Sequence, residues 1–252
     1  MFKNWVKAKI NAGEAVLGTL MNSYNADIAE ILGAAGLDFI IIDCEHGPGS
    51  PESVVNCVRA AELRGMSPII RVTEDTRTGI LRYFDIGAHG ILVPQIEGAK
   101  QAEQVVKHSK YSPYGFRGMA MPRASSWGMD EDGYMEAANE ETMIIIQCEN
   151  AACLNEIEKV AKVPGVDVVF LGPYDMSQAL GVPGQTKHPL LLDARKRILS
   201  AAEEAGVAAG IFVTAIEDAL MAKKEGWKLI LMGLDIASIG SVYRGYAEEF
   251  RK

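Results

Sequence analysis

The sequence predicts a (β/α)8 barrel. Eight short apolar runs alternate with eight longer amphipathic runs from one end of the chain to the other. The short runs are apolar throughout rather than at every second residue, as strands covered on both faces must be. The 252 residues are also about the length that one such barrel takes.

The first strand is AVLGTLM at 15–21, followed by the helical pattern NADIAEILGAAG at 25–36. Next come DFIIIDC at 38–44 with PESVVNCVRAAELRG at 51–65, and SPIIRV at 67–72 with TRTGILRYFDIGA at 76–88. GILVPQ at 90–95 precedes AKQAEQVVKHSK at 99–110, and TMIIIQCE at 142–149 precedes LNEIEKVAKVPG at 154–165. VDVVFLGP at 166–173 leads to LLLDARKRILSAAEEAG at 190–206, and VAAGIFV at 207–213 leads to AIEDALMAKKEG at 215–226. KLILMGL at 228–234 and IASIGSVYRGYAEEF at 236–250 complete the series. The amphipathic runs place apolar residues at three- and four-residue spacing. Gly36, Gly65, Gly87, Gly206 and Gly226 stand where helix C-caps belong. An open doubly wound sheet would need a G-x-G-x-x-G after an early strand, and none is present. No linker or low-complexity stretch divides the chain, so residues 1–252 read as one barrel domain. The one long irregular stretch is 112–141, between the fourth and fifth strands, and loops of that length commonly carry function.

Composition narrows the function. The chain is 48% hydrophobic with a formal net charge of −8, and no stripe of Lys and Arg interrupts it. That balance argues against nucleic acid or an anionic membrane as partner. No apolar run approaches the ~18 residues of a membrane span, and the opening MFKNWVKAKINAGEAV lacks a secretory pattern. A cytoplasmic protein is expected. Cys44, Cys57, Cys148 and Cys153 show no C-x-x-C pairing and read as buried reduced thiols.

Polar residues gather at the C-terminal ends of the strands, where this fold builds its active sites. The strands end in MNS, DCEH, Arg71, Gln95, Gln147-Cys148-Glu149, GPYD, Thr214 and Asp235. Gln147 and Glu149 share one face of the fifth strand, with Cys148 on the other. Asp175 lies just past the neighbouring sixth strand. Two carboxylates brought close repel unless a proton or a cation sits between them. An all-oxygen site of this kind suits Mg2+ or Mn2+. The competing reading is two unconnected acids that cap helices.

His46 ends a central strand among acids, and a carboxylate holding its ring would raise its basicity and fix its tautomer. Asp43 is one candidate partner. Asp85 is another if its helix or a neighbouring subunit brings it near. Arg71 reads either as a salt-bridge partner of these acids or as a fixed cation facing an anionic substrate or a developing enolate. No lysine ends a strand. A Schiff-base mechanism therefore has only Lys187, in the loop after the sixth strand, as a weak candidate. Enolate chemistry here would rely on a metal as its electron sink.

Taken together, D-x-E-H at 43–46, Arg71, VPQ at 93–95, YSPYGFRG at 111–118, RASSWG at 123–128, QCE at 147–149, GPYDMS at 172–177 and KHP at 187–189 resemble one family over nearly the whole chain. It is the HpcH/HpaI aldolase / citrate lyase β-subunit family of metal-dependent class II pyruvate aldolases. These cleave 4-hydroxy-2-oxo acids such as 4-hydroxy-2-oxoheptanedioate, 2-dehydro-3-deoxyglucarate and 2-keto-3-deoxy-rhamnonate. The resemblance implies that Glu149 and Asp175 hold a divalent ion (Mg2+, Mn2+ or Co2+), with no organic cofactor. It implies that Gln147 bonds the substrate and that backbone N–H groups after Gly172 and Pro173 receive the pyruvate carboxylate. Arg71 would steady the enolate oxygen and His46 would move protons. It further implies a homohexamer, a trimer of dimers, with a C-terminal helix open to exchange between neighbours. The sequence departs from the pattern at Tyr174, where many members carry a small residue, and at Met121 and Pro122. Both departures bear on substrate choice. The expected activity is reversible cleavage of a 4-hydroxy-2-oxo acid to pyruvate and an aldehyde. Oxaloacetate decarboxylation or CoA-ester cleavage on the same site, and a non-catalytic keto-acid-binding barrel, are the alternatives.

Overall fold

The computed structural model describes residues 3–129 and 132–252. Its strands are β1 (Val16–Met21), β2 (Phe39–Asp43), β3 (Ser67–Arg71), β4 (Gly90–Val93), β5 (Met143–Cys148), β6 (Val168–Leu171), β7 (Ala208–Val213) and β8 (Leu229–Leu234). Each pairs in parallel with its sequence neighbour, and β1 pairs with β8 to close the barrel. The connecting helices are α1 (Trp5–Asn11), α2 (Ala26–Ala34), α3 (Pro51–Leu63), α4 (Arg77–Asp85), α5 (Ala99–Ser109), α6 (Tyr134–Glu141), α7 (Ala151–Asn155), α8 (Ile157–Ala161), α9 (Pro173–Ala179), α10 (Pro189–Ala205), α11 (Ile216–Glu225) and α12 (Asp235–Phe250). The expected (β/α)8 barrel is therefore the fold.

The continuous apolar runs are explained by two cores, one on each face of the sheet. Inward residues such as Leu20, Phe39, Ile41, Ile69, Leu92, Ile145, Phe170 and Leu231 fill the barrel. Their chain neighbours, among them Ile40, Ile42, Ile70, Ile91, Ile144, Ile146 and Val169, pack outward under the helices. All four cysteines are buried and unbridged. The glycines expected at helix ends take left-handed φ, between 69° at Gly65 and 108° at Gly226, as C-terminal caps require.

Four features differ from the sequence reading. Helix α1 was not anticipated, because WVKAKIN is too short to show a periodic stripe. Asn4 caps it and donates from its amide to the carbonyls of His89 and Glu141, while Val6 enters the inner core. The stretch 112–141 is not irregular throughout. It holds a 3-10 segment, Arg123–Gly128, and α6, whose Tyr134 packs against Tyr111 with ring centroids 6.1 Å apart. Residues 130 and 131 of that stretch lie outside the described residues. The single helix expected at 154–165 is two short ones, α7 and α8, that meet at Glu156 with φ −109°. The GPYDMS motif, read as a strand end and loop, opens α9, with Pro173 in its first turn where a missing N–H costs nothing.

Two inward phenylalanines need glycine beside them. Phe39 lies in register with Gly18, and Phe170 with Gly210. A Cβ on either glycine would come within 2.5 Å of the facing ring. Gly210→Ala is expected to destabilise the barrel by about 1–3 kcal/mol through overpacking. The midpoint of denaturant unfolding at unchanged m-value measures this. A midpoint equal to the parent's would mean that the ring can move aside.

Candidate active site

The mouth is organised from β2 and β3. Their register sets Asp43 beside Arg71, both at strand ends. The guanidinium grips the carboxylate through two bonds, Nε to Oδ1 at 2.8 Å and Nη2 to Oδ2 at 2.7 Å. The backbone N–H groups of Glu45 and His46 donate to the same Oδ1, and the Asn22 amide donates to Oδ2. Burial alone would push the Asp43 carboxyl up. The bonds and charge of Arg71, with Asn22, outweigh it and hold Asp43 below the usual carboxylate range. Arg71 also reaches Glu45, with Nη1 3.3 Å from Oε2.

Asp43 is thus not the partner of the imidazole. It orients His46 through the backbone N–H, at 3.3 Å, and its oxygens are otherwise occupied. The acid nearest the exposed ring is Glu45, whose Oε2 lies 3.7 Å from Nε2. Burial raises the Glu45 pKa, against the pull of Arg71 and His46. The turn that follows is shaped by Tyr24, whose hydroxyl donates to the carbonyl of Asp43. A Cβ at Gly47 would collide with that hydroxyl at 1.9 Å, and one at Gly49 would meet the ring at 2.7 Å. The Gly-Pro-Gly sequence therefore serves close packing on Tyr24, besides leading the chain away from the mouth.

Asp85 stands elsewhere within the chain. It ends α4, on the side where the strands begin, and pairs with Arg117 at 3.0 Å. The Arg117 guanidinium is flanked by the rings of Phe84 and Tyr111, 5.0 and 4.9 Å from their centroids. Within one chain, helix α4 does not bring Asp85 to His46.

On the opposite wall, Gln147 and Glu149 do share a face, while Cys148 joins the outer core. Glu149 is 1% exposed. It accepts the Gln147 amide and, at 2.8 Å, the backbone N–H of Gln95. Gln95 holds a left-handed φ of 55°. For a residue with a side chain that conformation stores strain on the order of 1–3 kcal/mol, and here it accompanies an N–H bonded to a carboxylate. Burial pushes Glu149 up to about 7, only partly offset by the Gln95 N–H, and the charges of Glu45 and Asp175 push the same way. Gly172 makes this arrangement possible, because a Cβ there would lie 2.7 Å from Glu149 Oε2 and 3.0 Å from the Gln147 amide nitrogen. Asp175 sits exposed in the first turn of α9.

These residues suit a divalent cation. A buried carboxylate whose ionised form is disfavoured gains from a positive partner. Gln147 Oε1 is buried with no hydrogen-bond partner among the described residues. No group of three or more His, Cys, Asp or Glu side chains is preformed among the described residues. An ion held here would thus draw two carboxylates from the protein and the remaining oxygens from water and substrate.

His46, Arg71, Gln147, Gly172, Pro173, Tyr174 and Asp175 line one cavity of about 260 Å³ at the barrel mouth. Its described lining contains no lysine, and Lys187 lies instead on an adjoining cavity. Asn22, Tyr24 and Gln95 escaped assignment from sequence. The signal was present, since each stands at or just past a strand end, but their part is played through an amide, a distant carbonyl and a backbone N–H.

Fold and site define a (β/α)8 enzyme barrel with a small, largely apolar cavity at the C-terminal mouth into which a few polar groups converge. The chain belongs to the HpcH/HpaI aldolase/citrate lyase family, whose pattern matches residues 17–241. It is 32% identical to the 2-keto-3-deoxy-L-rhamnonate aldolase of Escherichia coli (strain K12), over 93% of this chain and 88% of that protein. It is 34% identical to the hydroxypyruvate/pyruvate aldolase of Roseobacter denitrificans, over 99% and 98%. An HpcH/HpaI family protein from Burkholderia cenocepacia J2315 superposes with a TM-score of 0.94 at 32% identity, covering 99% of this chain and all of that one.

Asp43→Ala is expected to cost about 2–3 kcal/mol of stability, because it removes two charge-assisted bonds from the half-buried Arg71 guanidinium and leaves it only Glu45, 3.3 Å away. Chemical denaturation measures the loss, and a change below 1 kcal/mol would show that Arg71 is readily rehydrated.

Proposed function

We propose that this chain is a divalent-metal-dependent pyruvate aldolase that reversibly cleaves a 4-hydroxy-2-oxo acid to pyruvate and an aldehyde. The observation that carries the reading is the convergence of Asp175, a clamped Arg71, an exposed His46 and Gln147 on one cavity whose described lining holds no lysine, with the buried Glu149, its pKa raised to about 7, bonded directly behind Gln147. The relatives named as aldolases support it.

In the cleavage direction His46 takes the proton from the C4 hydroxyl. The C3–C4 bond breaks and the aldehyde leaves, while the bonding pair moves into the enolate of pyruvate. Arg71, held rigid by Asp43, presents its remaining N–H groups to the charge that develops on the enolate oxygen. Gln147 bonds the bound acid. The first turn of α9, after Gly172 and Pro173, leaves the N–H groups of Tyr174 and Asp175 without intrahelical acceptors, and these receive the carboxylate. The proton held by His46, directly or through water, then passes to C3 to give the methyl group and returns the imidazole to its starting form. A bound Mg2+, Mn2+ or Co2+, held by Glu149 and Asp175, supplies Lewis-acid stabilisation of the same charge.

The working unit is proposed to be a cytoplasmic homohexamer, a trimer of dimers, in which Asp85 acts on the His46 of a neighbouring subunit. The assembly reading rests on α12, of which only Asp235 is buried while Ile236, Ile239, Val242, Tyr243, Tyr246 and Phe250 are exposed. Among the described residues no helix is long and apolar enough to cross a membrane.

Exchange of solvent deuterium into the methyl group of pyruvate, followed by proton NMR with added Mg2+ or Mn2+, tests the chemistry. Exchange is expected to fall about 100-fold or more in His46→Ala and in Glu149→Ala, and to vanish with chelator. Exchange that persists unchanged in these conditions rules the mechanism out. Gly172→Ala is expected to weaken Mn2+ binding at least about tenfold by displacing the Glu149 carboxylate. Calorimetric titration of the folded variant checks this, and unaltered affinity would remove Glu149 as a ligand.

A further inference from the structure

Beside the cavity at the mouth lies a second one of about 300 Å³, between the ends of β6 and β7 and helices α10 and α11. Pro173, Tyr174 and Phe212 line both. The proline ring is fixed by its backbone. The other two residues form an aromatic pair, with ring centroids 6.1 Å apart and planes tilted by 58°. Tyr174 is 50% exposed, and among the described residues no hydrogen bond holds its hydroxyl. Its ring therefore acts by occupying space, and it stands free of the core.

The second cavity is walled mainly by apolar side chains, including Leu191, Ile211, Val213 and Met221. Its strongest cation is already engaged. Arg195 is bonded to Glu225 at 2.6 Å and lies over the Trp227 ring. The remaining charges at its edge, Lys187 and Asp218, are of opposite sign. Such a space suits the hydrocarbon tail of an aldehyde better than a charged one.

We propose that Tyr174, backed by Phe212, is the length gauge of the acceptor site. The inference rests on the aldolase reading above. The paired rings confine the acceptor to the mouth cavity, so the enzyme joins pyruvate to short aldehydes. Without the Tyr174 ring the two cavities merge, and the tail of an unbranched aliphatic aldehyde passes into the second. The bond-forming step is unchanged: the pyruvate enolate carbon attacks the aldehyde carbon, whose oxygen takes the proton.

The test compares propanal with hexanal as acceptors for pyruvate, by kcat/KM, in the parent enzyme, Tyr174→Ala, Phe212→Ala and Tyr174→Phe. Each methylene newly accommodated in an apolar cavity is worth about a fourfold gain. The ratio of hexanal to propanal is therefore expected to rise about tenfold or more in Tyr174→Ala, and to rise in Phe212→Ala as well. Tyr174→Phe keeps the ring and is expected to hold the ratio within about twofold. Equal use of both aldehydes by the parent, or an unmoved ratio in Tyr174→Ala, overturns the gauge. So does a rise in Tyr174→Phe as large as in Tyr174→Ala, which would assign selection to the hydroxyl. Deuterium exchange into pyruvate needs no acceptor and is run on the same samples. Exchange with an unmoved ratio sinks the gauge alone, whereas no exchange in the parent sinks the aldolase reading and the gauge with it.

Discussion

The pair between Asp43 and Arg71 is the constraint on which the mouth of this barrel depends. Neither charge could be buried alone, because the desolvation penalty of each is several kcal/mol. Parallel register sets the two residues side by side, and the bidentate grip makes burial tolerable. Other features follow from that carboxylate. Its Oδ1 gathers the N–H groups of Glu45 and His46 and so fixes where the chain leaves β2. Its presence leaves Nη1 of Arg71 to face Glu45. The Asp43 carbonyl takes the Tyr24 hydroxyl, and the close packing of Tyr24 in turn demands Gly47 and Gly49. One ion pair thereby sets an imidazole, a second acid and a turn.

Across the cavity the same physics is used with the opposite outcome. Glu149 is buried as deeply as Asp43, but among the described residues the bonds it accepts come from an amide and a strained backbone N–H rather than a cation; the Arg71 charge acts on it only from a distance, and two more carboxylates stand nearby. One acid is stabilised as an anion and the other is driven toward keeping its proton. A site that divides its carboxylates in this way has one wall ready to steady negative charge and another ready to accept a cation. Both walls belong to strands that follow one another around a closed sheet, so their separation is set by the barrel and not by any loop.

Much of this was legible in the chain. The eight strands fall within about two residues of their apolar runs, because a strand covered on both faces can hold little else. Asp43, Glu45, His46, Arg71, Gln147, Glu149 and Asp175 could all be picked out as polar residues at strand ends. Less legible were short elements with no periodicity to display, α1, α7 and α9, and the order within 112–141. Partnerships were the least legible. Asp43 looked like the orienting acid of His46 and is the clamp of Arg71. Asp85 looked available to the same imidazole and lies at the other end of the barrel in its own chain.

The sequence by itself determined the alternation of strand and helix, hence the barrel, and hence that its polar strand ends share one mouth. Periodicity and burial are local properties, and eight βα units with no G-x-G-x-x-G after an early strand point to the closed sheet over the open doubly wound one. Only the tertiary structure decided which acid pairs with which base, that Glu149 is bonded by an amide and a backbone N–H where Asp43 is bonded by a guanidinium, that glycines at 18, 172 and 210 make room for particular side chains, and that Tyr174 and Phe212 stand between two cavities. Those outcomes depend on register and closure between residues far apart in the chain, and no local pattern encodes a distance across a barrel.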